Sequence, residues 1–156
     1  MILAIDPGNE RSGWVLCDGM EVIDSGVLDN DTLIGLVHRF KPDDNTSLAI
    51  EKFEARGMPM GQESIDTMLW TGRFMQAWHS PDAVRLVYRR TVKQHLCGSS
   101  KAKDPNVRQA LIDLYPRTGG GKVPQIGVQA KPGPLFGINT HAWAALGVAV
   151  TEVGRA

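Results

Sequence analysis

Two carboxylates follow apolar runs that have the character of buried strands. Asp6 comes directly after residues 2–5 and before a Pro-Gly pair, and Glu51 follows residues 48–50. Short unbroken apolar runs indicate buried strands, and Pro-Gly marks a turn. If the two strands are neighbours, both carboxylates lie at one edge of the sheet, and their repulsion favours a hard divalent cation between them. The pair predicts a metal site, although either acid alone also suits a helix cap or a charged surface.

The charge of the chain is unevenly distributed. Lys and Arg total 17 and Asp and Glu total 17, so the formal net charge is zero. Residues 1–84 carry 6 basic and 14 acidic side chains, whereas residues 85–131 carry 10 basic and 2 acidic ones. Such a local excess of cations is typical of a phosphate-binding surface, with an ordinary solvated face as the alternative. The candidate DNA-binding residues are Arg89, Arg90, Lys93, Lys101, Lys103 and Lys122.

The order of the predicted elements indicates one α/β domain over residues 1–156 with a mixed sheet. An antiparallel start followed by alternating strands and helices is typical of such a sheet, with helices on its faces. Asp18-Gly19 marks a hairpin between the second and third strands. The strands are expected at 2–5, 12–17, 22–28, 47–53 and 84–88, and the helices before Pro42 and at 62–78, 91–96, 104–114 and 140–150.

Residues 116–138 carry no periodic pattern and include three consecutive glycines before Lys122. The run is not a phosphate-binding P-loop, because Pro116 stands at the first glycine position and Val123 replaces Ser or Thr. We expect a mobile loop that becomes ordered on DNA.

The pattern over residues 62–78 predicts a helix with two apolar sides. A helix of this kind needs two partners. One partner is its own sheet, and the other is either the same helix of a second subunit or the segment at 57–61. The predicted dimer-interface residues are Ile65, Met68, Leu69 and Trp70.

Several segments of the chain resemble the RuvC family of Holliday junction resolvases. The matching segments are 2–8 with Gly13 and Trp14, 48–51, 92–94, Gly98, 100–103 with Val107, and 145–149. The resemblance covers nearly the whole chain and implies an RNase H-like fold, in which a mixed five-stranded sheet has helices on both faces. The short length and the insertion at 57–61 look more like a phage or prophage branch than the housekeeping bacterial enzyme.

The resemblance implies four metal-binding positions, for Mg²⁺ or Mn²⁺, with two cations in each active site. Asp6 and Glu51 match the first two positions, and His141 and Ala144 fall on the third and fourth. An imidazole at the third position favours Mn²⁺, although a polar residue of a helix cap is the alternative for His141. Ala144 has no donor atom, so either one cation site is weakened or Asn139 supplies an oxygen.

The resemblance also implies the reaction and the assembly. The family cuts four-way DNA junctions by paired phosphodiester hydrolysis and leaves 5′-phosphate and 3′-hydroxyl ends. Lys93 matches an active-site lysine, whereas the second lysine position falls on Asp104, so Lys101 or Lys103 would have to replace it. A homodimer through the helix at 62–78 would place two active sites on opposed strands of a junction.

Other functions remain as alternatives or are excluded. A branched-DNA-binding protein with little or no catalysis is the alternative that Ala144 favours. A two-domain ATPase is excluded because the chain has room for one domain, and no nucleotide cofactor is expected. Cys17 and Cys97 form no disulfide framework, and the longest apolar stretch is far too short for a membrane span. With no basic leader, we expect a cytoplasmic protein without a membrane partner.

Overall fold

The computed structural model describes residues 1–155, which form an α/β fold. A five-stranded sheet carries helices on both faces, and a two-stranded hairpin lies apart from it. The strands of the main sheet are β1 (Ile2–Asp6), β2 (Arg11–Asp18), β3 (Glu21–Asp29), β4 (Ser47–Lys52) and β5 (Arg85–Tyr88). The helices are α1 (Asn30–Arg39), α2 (Gln62–Ala77), α3 (Arg89–Cys97), α4 (Asp104–Asp113) and α5 (Thr140–Arg155).

The sheet has the strand order β3-β2-β1-β4-β5. The first three strands form an antiparallel meander, and β4 and β5 run parallel to β1. In the parallel pair, Ile5 lies opposite Ile50. The residues that follow these two, Asp6 and Glu51, therefore lie side by side at one edge. The predicted mixed five-stranded sheet is confirmed.

Alternate residues of the central strands enter two different cores, because successive side chains of a strand point to opposite faces. Ala4 and Ala49 face a core formed with α3, α4 and α5. Leu3 and Leu48 face a second core formed with α1 and α2. Small residues on the first face let α5 lie directly against β1 and β2.

Two helices have bounds that differ from the prediction. Helix α3 begins at Arg89, directly after β5, rather than at residue 91. Helix α5 continues to Arg155, five residues beyond the predicted end. Its last turns bury Thr151, whose hydroxyl donates to the carbonyl of Gly147, and Glu152, which pairs with Arg85 at 3.1 Å. These polar partners allow the helix to continue past its apolar stretch.

Residues 116–138, which were expected to be irregular throughout, contain regular structure, whereas ordering of a loop on DNA stays a prediction. The segment contains a hairpin of β6 (Gly127–Val128) and β7 (Lys131–Pro132). Backbone hydrogen bonds cross it, including one from the amide of Gly120 to the carbonyl of Lys131 at 2.9 Å. A Cβ at Gly119 or Gly133 would lie under 3 Å from neighbouring backbone. The glycines therefore serve close backbone packing, and we call this segment the 116–138 insert.

None of the helices described over residues 1–155 is long and apolar enough to cross a bilayer.

Candidate active site

The two predicted carboxylates lie together at the edge of the sheet. Asp6 ends β1 and Glu51 is the fifth residue of β4, in register with it. Their side chains are mostly buried, with 18% of Asp6 and 12% of Glu51 exposed. Both carboxylates are therefore largely removed from water.

A buried polar network holds the turn that follows Asp6. The amide of Gly8 donates to the Ser12 hydroxyl at 3.0 Å, and this hydroxyl donates to Asn30 at 2.6 Å. The Asn30 side chain in turn donates to the carbonyl of Gly8 at 2.9 Å. Ser12 and Asn30 are fully buried. The network fixes the chain direction just after the carboxylate, which is how a short turn keeps Asp6 in place.

The protonation of Asp6 reflects this environment. Burial raises the pKa of Asp6 to about 9, and a hydrogen bond with Glu51 and its negative charge add to the rise. The guanidinium of Arg89 acts in the opposite direction without reversing it. With no cation bound, Asp6 therefore keeps a proton at a higher pH than an ordinary aspartic acid does.

His141 lies beside this pair. Its Nδ1 is 4.0 Å from Oδ2 of Asp6, and 68% of the side chain is exposed. It is the second residue of α5, and Ala144 lies one turn further along the helix at the same cleft. Ala144 has no atom that could bind a cation. Within residues 1–155, no three acidic, His or Cys side chains already converge on one point.

Arg89 bridges two acids from different elements. One nitrogen, Nη1, donates to Glu51 at 3.0 Å, and the other, Nη2, donates to Asp104 at 2.5 Å. Burial alone lowers the pKa of this guanidinium, but the charges and hydrogen bonds of the two carboxylates outweigh it and hold the pKa above its ordinary value. Arg89 thus stays charged inside the site, not on the open surface that the sequence suggested.

A cleft of about 610 Å³ opens over these residues, and we call it the acidic cleft. One wall of the cleft is apolar and is formed by Val107, Leu111 and Trp143. The guanidinium of Arg108 lies over the Trp143 ring, 4.6 Å from its centroid. The titratable side chains that line it are Asp6, Glu51, Arg89, Asp104, Arg108 and His141.

Two solved structures of RuvC from Thermus thermophilus are similar to this chain. One, RuvC in complex with a Holliday junction substrate, is 18% identical with a TM-score of 0.63, and the match covers 96% of this chain and 90% of that one. The other, RuvC alone, is 17% identical with a TM-score of 0.61, covering 96% and 91%. No protein-family model and no curated protein matches the chain. The chain has the RuvC fold, which is RNase H-like.

The donor set at the sheet edge suits a divalent cation. Two carboxylates and an imidazole are ligands of the kind that Mg²⁺ and Mn²⁺ accept. A cation that binds here would displace the proton that buried Asp6 keeps. Asp6, Glu51 and His141 line the same cleft, and their role as metal ligands stays a prediction.

The predicted basic residues fall into two groups. Lys93 is only 21% exposed and lies 3.9 Å from Asp104, and Arg90 pairs with Glu54 at 3.4 Å. Lys101, Lys103 and Lys122 are exposed. Among the ion pairs found over residues 1–155, none involves these three lysines. They remain candidates for phosphate contact outside the acidic cleft.

The predicted interface residues of α2 differ in exposure. Ile65, Met68 and Leu69 are 39%, 46% and 64% exposed. Trp70 is half-buried, because its ring lies 6.0 Å from that of Phe74 and packs against the core between the sheet and α2. Three of the four residues therefore form an open apolar face, whereas Trp70 packs largely within its own chain.

Two features of the site could not be placed from the sequence. Ser12 and Asn30 look like ordinary surface residues until the fold buries them together. Asp104 looks like a helix N-cap, and only the fold brings it to Arg89. A signal for Asp104 did exist, because this acid stands where the resemblance places a lysine.

Proposed function

We propose that this chain is a metal-dependent endonuclease that cuts four-way DNA junctions as a homodimer. The observation that carries the proposal is the pair of largely buried carboxylates, Asp6 and Glu51, at one sheet edge, with Nδ1 of His141 4.0 Å from Oδ2 of Asp6. Its support is the RuvC fold in which this pair is set. A phage or prophage origin and a cytoplasmic location belong to the proposal and rest on the sequence resemblance.

In this proposal, Asp6, Glu51 and His141 hold the cation. When bound, a divalent cation would lower the pKa of a bound water molecule and would supply positive charge next to the reacting phosphate. Asp6 must lose its proton for that to happen, and its burial keeps the resulting carboxylate away from competing water. The resemblance predicts two cations, and these three donors account for one of them.

The remaining residues bind and orient the DNA. Lys93 lies 3.9 Å from Asp104, which lines the acidic cleft, and in this proposal it contacts a phosphate of the bound strand. The exposed Lys101, Lys103 and Lys122 add cations without local partners, which is the arrangement that attracts a polyanion. Hydrolysis adds water across the P–O3′ bond and leaves a 5′-phosphate and a 3′-hydroxyl.

The dimer part of the proposal rests on α2. Ile65, Met68 and Leu69 are exposed on it, and Met58 and Met60, which shortly precede α2 in the chain, are also exposed, at 70% and 39%. Apolar side chains grouped in this way favour a protein partner. Pairing α2 with the same helix of a second copy is isologous, and it would give two sites related by a two-fold axis, as a four-way junction requires.

The test is cleavage of an end-labelled four-way junction in Mn²⁺ or Mg²⁺, with linear duplex of the same sequence as the control substrate. We expect paired nicks in the junction and none in the duplex. Asp6→Asn should retain junction binding and lose cleavage, because it removes a cation ligand and leaves the basic surface unchanged. Nicking by Asp6→Asn at the wild-type rate would contradict the catalytic assignment.

A junction-binding protein without catalysis is the second candidate, and Ala144 favours it. The fourth ligand position lines the acidic cleft and offers no donor. This candidate predicts tight junction binding with no nicks at any concentration of either cation.

A further inference from the structure

The acidic cleft already contains a fixed positive charge. The guanidinium of Arg89 is held at two points, by Glu51 at 3.0 Å and by Asp104 at 2.5 Å. Arg89 lines the acidic cleft, and about a third of its side chain is exposed. Because both hydrogen bonds are charge-assisted, the planar group has a defined orientation before any substrate arrives.

Asp104 provides the outer of these two contacts. It is the first residue of α4, and its side chain is 70% exposed. The hydrogen bond from Arg89 holds the pKa of its carboxyl below the usual value, so the group is ionised at neutral pH. Such an exposed acid has no need of a partner for its own solvation. The contact therefore serves to orient Arg89.

The ligands beside Arg89 suit one divalent cation better than two. Asp6, Glu51 and His141 supply donors on one side, whereas Ala144 supplies none on the other. One oxygen of Glu51 is already taken by the guanidinium. A second cation at this place would lack a ligand from α5 and would be repelled by Arg89.

We propose that Arg89 is the second positive charge of the active site, that it contacts a non-bridging oxygen of the scissile phosphate, and that Asp104 positions it. This inference rests on the proposed function. In the reaction, a water oxygen bonds to phosphorus, the P–O3′ bond breaks, and the proton released by water ends on the 3′-oxygen. The guanidinium faces the negative charge that grows on the non-bridging oxygens. Charges oriented in advance are among the most effective means of stabilising such a transition state.

Lys101 and Lys103 are the two lysines that would have to replace the second active-site lysine of the family. They are less well placed than Arg89 to contact the scissile phosphate. Lys101 and Lys103 are exposed on the segment between α3 and α4. As far as the structure describes the acidic cleft, neither lines it. Arg89 is inside it.

The central experiment compares Arg89→Gln with Arg39→Gln, which removes the same charge from an exposed position on α1. Mn²⁺ binding to the DNA-free protein is followed by electron paramagnetic resonance, and cleavage is measured in single turnovers at saturating Mn²⁺ and junction. For Arg89→Gln, we expect Mn²⁺ to bind about tenfold more tightly, because a repelling charge is gone. Cleavage should nevertheless slow about 100-fold or more. Wild type should bind one Mn²⁺ per chain.

Opposite changes in affinity and rate are the signature of the proposal, because general damage to the site would weaken both. Cleavage by Arg89→Gln within twofold of Arg39→Gln, or two Mn²⁺ per wild-type chain, would overturn it. Arg89→Lys keeps the charge and tests the geometry if the glutamine variant folds poorly. It should bind Mn²⁺ like wild type and cut about tenfold more slowly, since an ammonium cannot span both acids. If Arg89→Lys cuts at the wild-type rate, the two-point hydrogen bonding of the guanidinium is not needed for cleavage, and that part of the proposal is wrong.

Asp104→Asn is paired with Asp113→Asn at the other end of the same helix. Asp104→Asn should slow cleavage about tenfold without changing the dissociation constant for the junction, and Asp113→Asn should change neither. If Asp104 acts through Arg89, the double variant Arg89→Gln/Asp104→Asn should be no slower than Arg89→Gln alone. Full additivity would show that Asp104 does not position Arg89.

Failure of the inference is distinct from failure of the proposed function. If wild type cuts junctions and Arg89→Gln cuts them equally well, only the inference fails. If wild type cuts nothing, the proposed function fails. The Mn²⁺ titrations still show whether the positive charge of Arg89 lies next to the bound cation. Equal Mn²⁺ affinities for Arg89→Gln and Arg39→Gln would then overturn it.

Discussion

Gly13 lies so close to the first turn of α5 that a Cβ there would stand 2.2 Å from the carbonyl oxygen of His141. Gly13 also lies opposite Asp6 in the β1–β2 ladder. One residue without a side chain thus borders two of the proposed metal ligands. The absence of a Cβ is what lets the helix carrying His141 approach the strand edge that carries Asp6.

Gly13→Ala should therefore disturb both stability and cation binding. The added methyl group would meet backbone atoms, which cannot rotate away, so α5 must shift. We expect a lower free energy of unfolding, by about 1–3 kcal/mol as for other overpacked sites, and weaker Mn²⁺ binding. The control is Gly35→Ala on the exposed side of α1, where a Cβ meets nothing within 4 Å. It should stabilise the protein by about 0.5–1 kcal/mol, and urea unfolding measures both variants.

The contribution of Asp6 to the stability of the metal-free protein should fall as pH rises. Burial raises the pKa of folded Asp6 to about 9, whereas the ordinary value is 3.8. Between these values the folded state binds the extra proton, so the contribution of Asp6 is fully present below pH 3.8 and decreases by at most about 1.4 kcal/mol per pH unit above it. Asp6→Asn removes this slope and should be the more stable protein at pH 7.

Urea unfolding in the presence of a chelator, at pH 5 and at pH 8, measures the difference between wild type and Asp6→Asn. Asp113→Asn is the matched control and should keep the wild-type slope. The same difference at pH 5 and at pH 8 would mean that Asp6 is already ionised in the folded protein at pH 5, and it would contradict the prediction.

His141 should set the preference between cations. An imidazole suits Mn²⁺ better than Mg²⁺, and a carboxylate suits Mg²⁺. We expect His141→Asp to cut better in Mg²⁺ than wild type does. His141→Ala should need a higher Mn²⁺ concentration and recover part of its activity there. Mn²⁺ titrations of the cleavage rate measure this, and a curve for His141→Ala that overlays wild type would place the third ligand elsewhere.

The exposed lysines should contribute to junction affinity through salt-dependent contacts. Lys101→Ala and Lys122→Ala should each make the fall of log K with log salt concentration less steep, by about the amount that one phosphate contact contributes. Arg39→Gln on α1 should leave the slope unchanged. Binding is measured by fluorescence anisotropy with a labelled junction at several salt concentrations and without divalent cations. Unchanged slopes for both lysine variants would show that this surface does not meet DNA.

The open face of α2 should hold the dimer together. Leu69→Asp places an unpaired charge in the proposed interface, which is costly in an apolar contact, and should yield monomers. Ile23→Asp is the control, because Ile23 is similarly exposed, at 50%, on the remote strand β3. Light scattering at micromolar concentration measures the mass, and a monomeric wild type would contradict the proposal.

The sheet and its acid pair could be predicted from the sequence because both follow from short-range patterns. An apolar run that ends in an acid and a Pro-Gly turn needs no distant information, and the parallel neighbours then bring Asp6 and Glu51 together. The 116–138 insert could not be predicted, because its glycines serve backbone contacts between residues far apart in that segment. The same holds for Arg89, whose orientation depends on Asp104, fifteen residues later.

The position of α5 in the chain has a consequence for the timing of activity during synthesis. This helix follows every other described element, yet it packs on β1 and β2 at the centre of the sheet and carries His141. A growing chain can pair its strands and bring Asp6 beside Glu51 long before α5 leaves the ribosome. Until then, α5 does not cover its face of the sheet and the third of the proposed ligands is missing. DNA cleavage of the kind proposed would therefore require that residues 140–155 have already left the ribosome.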